Sequence, residues 1–202
     1  MNEAETVWIY LWPIEGENAG AGADARRAMI GRRLMRYARS YALACGMVFP
    51  ESDPNIVRYK RGKPCLPDVS HLHFSLSHSG AYAACAFFGL PLGLDLQRHS
   101  TCRREAVARR FFHPREYDWL EQRSFEPFFQ VWTAKESYVK FTGIGITSGF
   151  RHFCVVGADG ELAAGLDGCR FFRWELPRNY DLCLCVSAGW GQTAPRVVLL
   201  PE

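Results

Sequence analysis

One order of predicted elements, a helical part followed by three strands, occurs twice along this chain. Asp24 is suited to cap the first helix, in which apolar residues recur at the spacing of one buried stripe: Ile30, Leu34, Tyr37 and Tyr41. Three predicted strands follow, at residues 72–76, 82–88 and 92–96, and a short strand at residues 7–11 precedes the helix. This order predicts a helix packed on a small sheet.

The second half has the same order without a residue-level repeat. Helices predicted over residues 103–112, 114–121 and 127–141 precede strands predicted at residues 150–156, 169–174 and 180–187. We therefore predict an α+β fold of two similar halves, residues 1–92 and 93–202, which resembles a duplication. Each half has helices packed on a small, mostly antiparallel sheet.

The composition predicts a packed protein with a local anion site. The 202 residues are 48% apolar, enough for one large domain or two small ones that share a core. The formal charge is only +3, yet two segments are basic, residues 58–63 and a group of six arginines: Arg26, Arg27, Arg32, Arg33, Arg36 and Arg39. Such clusters on a nearly neutral chain favour a local anion site over a nucleic-acid surface.

The cysteines and apolar runs indicate a cytoplasmic protein with reduced thiols. The eight cysteines include no Cys-x-x-Cys pair and no Cys/His zinc spacing, and the acidic N-terminus lacks the basic region of a signal peptide. The longest apolar run, residues 81–94, is too short for a membrane helix. We predict no membrane association and a monomer, because a duplicated fold supplies internally what a dimer would supply.

Asp95 and Gln97 stand two residues apart at the end of a predicted strand, so their side chains point to one face. A carboxylate and a carboxamide that project together offer two hard oxygen ligands to a metal ion. An aspartate at a strand end also commonly caps a turn, and the residues alone leave this alternative open.

One predicted helix carries a carboxylate and two ammonium groups. Glu136 and Lys140 stand at i and i+4 and share a face with Trp132, while Lys135 lies around the helix within reach of a substrate on that face. A surface ion pair beside a buried tryptophan is the alternative. If the two halves meet here, Asp95 and Glu136 can bind one Mg²⁺ ion that grips a phosphate, with the lysines on other phosphate oxygens.

Two turns and one arginine are further candidates for anion contacts. Lys63 lies in a Gly-Lys-Pro turn, and His78 lies between two serines, where its ring and the backbone N–H groups can bind phosphate oxygens. A purely structural histidine is the alternative. Arg27 lies at the margin of the buried helical stripe. Its side chain either faces a ligand or extends along the surface to solvent, and the residues alone leave both alternatives open. The chain has no Gly-x-Ser-x-Gly elbow, Walker loop or dinucleotide fingerprint.

Taken together, these segments resemble the 4′-phosphopantetheinyl transferases of the Sfp type. The matching motifs are Arg61-Gly62-Lys63-Pro64, Phe74-Ser75-Leu76-Ser77-His78-Ser79, Gly93-Leu94-Asp95, Arg110-Phe111-Phe112 to Glu116, and Trp132-Thr133-Ala134-Lys135-Glu136 with Lys140. Each motif is weak by itself, but five in the family's order are hard to obtain by chance.

The resemblance implies that an active site between two α+β halves transfers phosphopantetheine from coenzyme A to a serine of an apo acyl or peptidyl carrier protein. It implies Asp95, Glu136 and Gln97 as ligands of Mg²⁺, or of Mn²⁺. The implied coenzyme A contacts are Lys135 and Lys140 at the phosphates, together with Arg27, Arg58, Lys63, Ser75, Ser77 and His78. Glu136 or Glu116 is implied as the base that accepts the serine proton.

Gln97 is the main departure from the family pattern, because many members place a third acidic ligand there. It is also the one feature that favours an alternative function, a non-catalytic carrier-protein or coenzyme A binding module on the same fold. A nucleic-acid binder is less supported, since no aromatic platform interleaves with the arginines. The sequence does not name the carrier, whose helix we expect at an apolar patch near Phe111, Phe112 or Phe125.

Overall fold

The structure is a computed structural model that describes residues 6–14, 22–58, 63–69, 71–144 and 149–189, and the backbone of residues 196–199. The helices in these ranges are α1 (Ala23–Ala44), α2 (Arg104–Phe111), α3 (Pro114–Glu121) and α4 (Phe128–Thr142). The strands are β1 (Trp8–Pro13), β2 (Val57–Arg58), β3 (Pro64–Cys65), β4 (His73–Ser79), β5 (Tyr82–Phe88), β6 (Leu92–Arg98), β7 (Gly165–Leu166), β8 (Cys169–Leu176), β9 (Tyr180–Ser187) and β10 (Arg196–Leu199).

The first sheet has the strand order β10-β1-β5-β4, in which only β1 and β10 run parallel. The apolar stripe predicted for α1 is buried, and Tyr37 within it stacks on Tyr10 of β1 with ring centroids 4.3 Å apart. The predicted cap was wrong: Gly22 is the N-cap, and Asp24 lies inside the first turn. A carboxylate in the first turn still complements the positive end of the helix dipole.

The second sheet has the order β6-β9-β8-β7 and is antiparallel throughout. One of its faces is covered by α4 and an aromatic cluster: Phe112, Phe128, Trp132 and Phe150. The strand predicted at residues 150–156 was wrong, because Phe150–His152 forms a turn of 3₁₀-helix and Val156 makes only an isolated bridge. Phe150 and Phe153 are three residues apart, a spacing that brings side chains to one side of such a turn.

The edge strands β4 and β6 bring the two sheets together. Two serines of β4 accept hydrogen bonds from the backbone of β6, Ser75 from Leu94 at 2.9 Å and Ser79 from Arg98 at 3.0 Å. Apolar side chains from both sheets form one buried cluster between them, which includes Val7, Ile9, Ala84, Ala86, Leu92, Leu94, Leu96, Leu182 and Leu184. The two halves therefore share a core.

The predicted boundary between residues 92 and 93 does not separate the sheets. Leu92 is already the first residue of β6 in the second sheet, and β10 returns to pair with β1 in the first sheet. The α+β class is confirmed, and the relation of the halves by duplication stays a prediction. None of the helices in the described ranges combines the length and apolar character that a membrane crossing requires.

The backbones of α4 and β6 touch at Gly93. A Cβ atom at this position would overlap the carbonyl oxygen of Ser137 and the amide nitrogen of Phe141. Because both are helix backbone atoms, neither can rotate away as a flexible side chain would. Glycine in the Gly-Leu-Asp motif therefore lets α4 lie directly on the sheet.

We expect Gly93→Ala to lower the free energy of unfolding by roughly 3 kcal/mol, because the added methyl group must push α4 away from β6. Urea unfolding followed by circular dichroism measures this change. The control is Gly31→Ala in α1, where an added Cβ meets no atom within 4 Å and alanine should stabilise the helix by about 0.5–1 kcal/mol. Equal effects of the two substitutions would contradict the close approach at Gly93.

Candidate functional site

Three elements from both halves meet at the carboxylate of Asp95. On β6, Asp95 Oδ1 accepts hydrogen bonds from Lys140 Nζ of α4 at 2.7 Å and from Ser77 Oγ of β4 at 2.8 Å. Lys140 Nζ also donates to the carbonyl of Leu94 at 2.9 Å and to Ser77 Oγ at 3.1 Å. Asp95 is 5% exposed and Ser77 7% exposed, so this cluster lies below the surface.

Glu136 lies one helical turn before Lys140 and is 6% exposed. Burial, and after it the nearby carboxylate of Asp95, raise the pKa of Glu136 to about 7 against the opposing effect of the Lys140 ammonium. The two carboxylates are therefore close enough to repel each other, and the single ammonium group of Lys140 compensates only one of the two negative charges. The structure thus brings together Asp95, Glu136 and Lys140, as the sequence predicted.

The free oxygens of this cluster fit a hard divalent cation. Asp95 Oδ2 is buried and has no hydrogen-bond partner among the described residues, an arrangement that is costly unless a donor or cation satisfies it. Glu136 adds a second carboxylate, and Gln97 projects from the same face of β6 as Asp95. The amide nitrogen of Gln97 donates to the carbonyl of Arg98 at 3.2 Å. Carboxylate and amide oxygens are the donors that Mg²⁺ prefers.

His78 borders this cluster on the exposed side of β4. Partial burial lowers the pKa of His78, and the positive charges of Lys140 and then Arg26 lower it further. Arg26 belongs to the first turn of α1, so three basic groups from three elements lie near one another. A concentration of positive charge beside two carboxylates suits a ligand that carries phosphates together with a metal ion.

Ser75 and Lys63 make contacts within the protein. Ser75 is 5% exposed and its hydroxyl accepts a hydrogen bond from the backbone of β6; its predicted contact with coenzyme A stays a prediction. The residue holds the two sheets together. Lys63 Nζ donates to the carbonyls of Leu92 at 3.2 Å and Phe141 at 3.1 Å.

Arg27 and Arg58 lie on exposed surfaces. The Arg27 guanidinium lies 3.4 Å from the carboxylate of Asp24, in a pair whose side chains are both almost fully exposed. Arg58 belongs to the short strand β2 and is also exposed. Their predicted contacts with coenzyme A stay predictions. Lys60, Arg61 and Gly62 of the basic turn lie outside the described residues.

Lys135 and Glu116 form an ion pair with no solvent exposure at either side chain. Lys135 Nζ lies 2.7 Å from Glu116 Oε2 and donates to the carbonyl of Phe153 at 2.9 Å, beneath the Phe153 ring. Burial lowers the pKa of Lys135, and the charge of Glu116 opposes that shift. Both groups are enclosed in the core, an arrangement that favours a structural role over the predicted phosphate contact of Lys135 and the predicted proton transfer to Glu116.

The enclosed position of Glu116 is marked in the sequence by a helix-start pattern. Its carboxylate accepts hydrogen bonds from the backbone N–H of His113 at 2.9 Å and of Val155 at 2.7 Å. The first of these completes a capping box at the start of α3, with Pro114 in the first turn. A cap residue followed by proline and then, at the third helical position, by glutamate is typical of a helix start. That pattern favours a structural glutamate.

Comparisons with known proteins identify the family. A sequence profile described as the 4′-phosphopantetheinyl transferase superfamily matches residues 91–185, a range that includes Asp95, Glu136 and Lys140. The chain is 31% identical over 175 residues to the 4′-phosphopantetheinyl transferase Sfp of Bacillus subtilis (strain 168), across 81% of this chain and 75% of that relative. This chain belongs to the Sfp-type 4′-phosphopantetheinyl transferases.

Other members of the phosphopantetheinyl transferase family match over similar or shorter spans. The 4′-phosphopantetheinyl transferase psf-1 of Bacillus pumilus is 32% identical over 173 residues, which cover 80% of this chain and 71% of the relative. The human L-aminoadipate-semialdehyde dehydrogenase-phosphopantetheinyl transferase is 30% identical over 157 residues, which cover 67% of this chain and 49% of the relative. These matches extend well beyond the short motifs on which the sequence-based resemblance rested.

The raised pKa of Glu136 predicts a pH-dependent stability for this phosphopantetheinyl transferase in EDTA. The folded protein retains the Glu136 proton up to about pH 7, whereas the unfolded chain releases it near pH 4.5. The stability from this group is therefore fully present below pH 4.5 and is lost as the pH rises through 7, by about 3 kcal/mol. We expect Mg²⁺ to bind these carboxylates in their ionised form, so it should raise the melting temperature more at pH 8 than at pH 5.5.

Glu136→Gln is the matched control, since it keeps the size of the side chain and removes its titration. The difference in unfolding free energy between the original protein and this variant, measured at pH 5.5 and pH 8, isolates the contribution of Glu136. A shift in melting temperature by Mg²⁺ that is equally large at both pH values would contradict a cation site at this carboxylate.

The enclosed ion pair predicts strong coupling between Lys135 and Glu116. We expect Lys135→Met or Glu116→Gln alone to lower the free energy of unfolding by roughly 3–5 kcal/mol, because each leaves one charge buried without its partner. The double variant should lose clearly less than the sum of the two, and a double-mutant cycle in urea measures the difference. Glu105→Gln, in the exposed pair with Arg109, should hardly change the unfolding midpoint. Additive losses would argue against the pair.

Proposed function

We propose that this protein transfers the 4′-phosphopantetheine part of coenzyme A to a serine hydroxyl of an apo carrier protein. The observation that carries the proposal is the cluster in which Asp95, Ser77 and Lys140, from three elements and both halves, meet beside Glu136. The family membership and the names of the relatives support the same activity.

The reaction exchanges one bond to phosphorus for another. The serine oxygen of the carrier attacks the phosphorus that bears the pantetheine arm, and the bond to the other phosphate of the pyrophosphate breaks. Adenosine 3′,5′-bisphosphate leaves with that bonding electron pair, and the serine proton passes to a base. Such phosphoryl transfer depends on in-line positioning and on neutralisation of the phosphate oxygens.

Asp95 and Glu136 would hold a divalent metal ion, Mg²⁺ or Mn²⁺, and Gln97 would be a third ligand, directly or through water. The metal ion, when bound, neutralises charge on the pyrophosphate oxygens. Lys140 is the mobile partner of this arrangement, because its ammonium can exchange one of its bonds to Asp95 or Ser77 for a phosphate oxygen. Ser77 holds the carboxylate of Asp95 in place, and His78 donates an N–H toward the same ligand.

Glu136 is the remaining predicted base, since Glu116 is enclosed. Without a bound cation, the pKa of Glu136 is about 7, so this carboxyl group takes up and releases protons at neutral pH, as a general base does. A cation bound to the carboxylate would lower that pKa and weaken the base. We propose that Glu136 even so receives the serine proton, through a water molecule, and passes it to solvent.

The predicted type of activity and the predicted carrier surface belong to the same proposal. We infer a holo-[acyl-carrier-protein] synthase type of activity that acts on acyl or peptidyl carriers, with coenzyme A as co-substrate. Of the three aromatic residues predicted to receive the carrier, Phe112 is buried in the core, Phe125 is half-buried and Phe111 is 45% exposed beside Arg110. The cytoplasmic location, the monomeric state and the absence of nucleic-acid and membrane partners stay predictions.

The alternative function, a binding module without activity, has less support. It rested on Gln97, which replaces an acidic residue. The groups that the chemistry requires are present and converge, since Asp95 and Lys140 are in direct contact and Glu136 is close enough to be affected by both charges. The relatives' names describe transferases.

Mass spectrometry of the carrier tests the proposal. Purified protein, coenzyme A and Mg²⁺ are incubated with several apo acyl and peptidyl carriers, and the carrier should gain the mass of one phosphopantetheine group. Asp95→Asn and Lys140→Met should each slow transfer by roughly 100-fold or more, the usual effect of removing a group that stabilises transition-state charge.

Asp53→Asn is the matched control, because this carboxylate is exposed and pairs only with Arg39 at 3.5 Å among its described contacts. It should transfer at the original rate. Absence of any mass gain with every carrier, while coenzyme A still binds, would instead support the non-catalytic module.

A further inference from the structure

Lys63 lies between the two elements that carry the catalytic groups. Its ammonium donates to the carbonyl of Phe141 at 3.1 Å, in the last turn of α4, and to the carbonyl of Leu92 at 3.2 Å, the first residue of β6. Burial lowers the pKa of Lys63. Both described partners of this ammonium are thus neutral backbone carbonyls.

The end of α4 requires such a donor. The last carbonyls of a helix have no partner within the helix, and together they form the negative end of its dipole. Gly143, in the left-handed conformation with φ 71°, satisfies one of them through its N–H bond to Val139 at 2.8 Å. Lys63 satisfies the carbonyl of Phe141, as basic side chains at helix ends commonly do.

Three consecutive contacts then hold α4 on β6. Lys63 bonds the carbonyl of Leu92, the backbone of α4 rests on Gly93, and Lys140 bonds the carbonyl of Leu94 together with Asp95. The two lysines lie on either side of the point where the backbones touch. Lys140 reaches β6 from α4 itself, whereas Lys63 reaches both elements from the first half of the chain.

We propose that Lys63 is a positioning residue, which locks the C-terminal end of α4 against β6 and so sets the distance of Glu136 and Lys140 from Asp95. This replaces the expectation that the Lys63 ammonium binds a phosphate of coenzyme A. The effect on catalysis rests on the proposed transferase function, but the contact itself does not.

Hydrogen exchange of the substrate-free protein tests the contact independently of activity. In Lys63→Met, backbone amides of residues 139–143 should exchange roughly tenfold faster, which corresponds to the loss of one charge-assisted hydrogen bond at that helix end. Arg123→Met is the matched control, because Arg123 donates to the Trp119 carbonyl in the last turn of α3 at 3.2 Å. It should leave exchange at residues 139–143 unchanged.

Kinetics separate positioning from phosphate binding. Lys63→Met should lower kcat by roughly 10–100-fold, the size expected when catalytic groups are displaced, with the KM for coenzyme A nearly unchanged. The loss should be equally large with a coenzyme A analogue that lacks the 3′-phosphate. If Lys63 bound that phosphate, the variant would show a raised KM with coenzyme A and no further loss with the analogue.

Exchange at residues 139–143 that is unchanged in Lys63→Met overturns the proposal whatever the kinetics show. Lack of transfer by the original protein would instead count against the proposed function and leave the exchange result valid. If Lys63→Met loses its cooperative unfolding transition, Lys63→Gln, which keeps one donor group, should show the same effects at smaller size, and normal exchange there overturns the proposal equally.

Discussion

The contact of Lys140 with Asp95 and Ser77 is the interaction on which the arrangement of the two halves depends. It joins α4, β6 and β4 at one buried carboxylate oxygen, and it forms where the edges of two separate sheets meet. Three serines of β4 face the seam between β4 and β6. Ser75 and Ser79 contact the backbone of β6, and Ser77 contacts the side chain of Asp95. A polar seam of this kind specifies one relative position, because a shift would leave several buried groups unpaired.

Charge within this seam is unbalanced toward acid. Burial is the main cause of the raised pKa of Glu136, and repulsion from Asp95 adds to it against the one close ammonium group, that of Lys140. Asp95 Oδ2 is also buried and has no hydrogen-bond partner among the described residues. Uptake of a proton or of a cation relieves both the burial of charge and the repulsion. On another side of α4, by contrast, Lys135 and Glu116 neutralise each other in the core.

The sequence predicted the elements of the site better than their contacts. Asp95, Glu136 and Lys140 were predictable because strand and helix periodicities place each on a definite face, and the family motifs supply their order. The contacts of Lys135 were not predictable, because spacing along the chain cannot show that Glu116 and the Phe153 carbonyl lie beside it in the core. The contact of Ser75 was not predictable for a similar reason: its partner is a backbone N–H of another sheet, and backbone groups leave no mark in a sequence.

The parallel pairing of β10 with β1 has a consequence for one side of the first sheet during synthesis. Trp8 pairs with Arg196, so β1 lacks its outer neighbour until residue 196 has been made. An unpaired strand offers its N–H and C=O groups to any other strand nearby. A chain that folds while it is synthesised therefore leaves β1 open to misassociation until β10 pairs with it, after which the short β10 is the edge of the sheet.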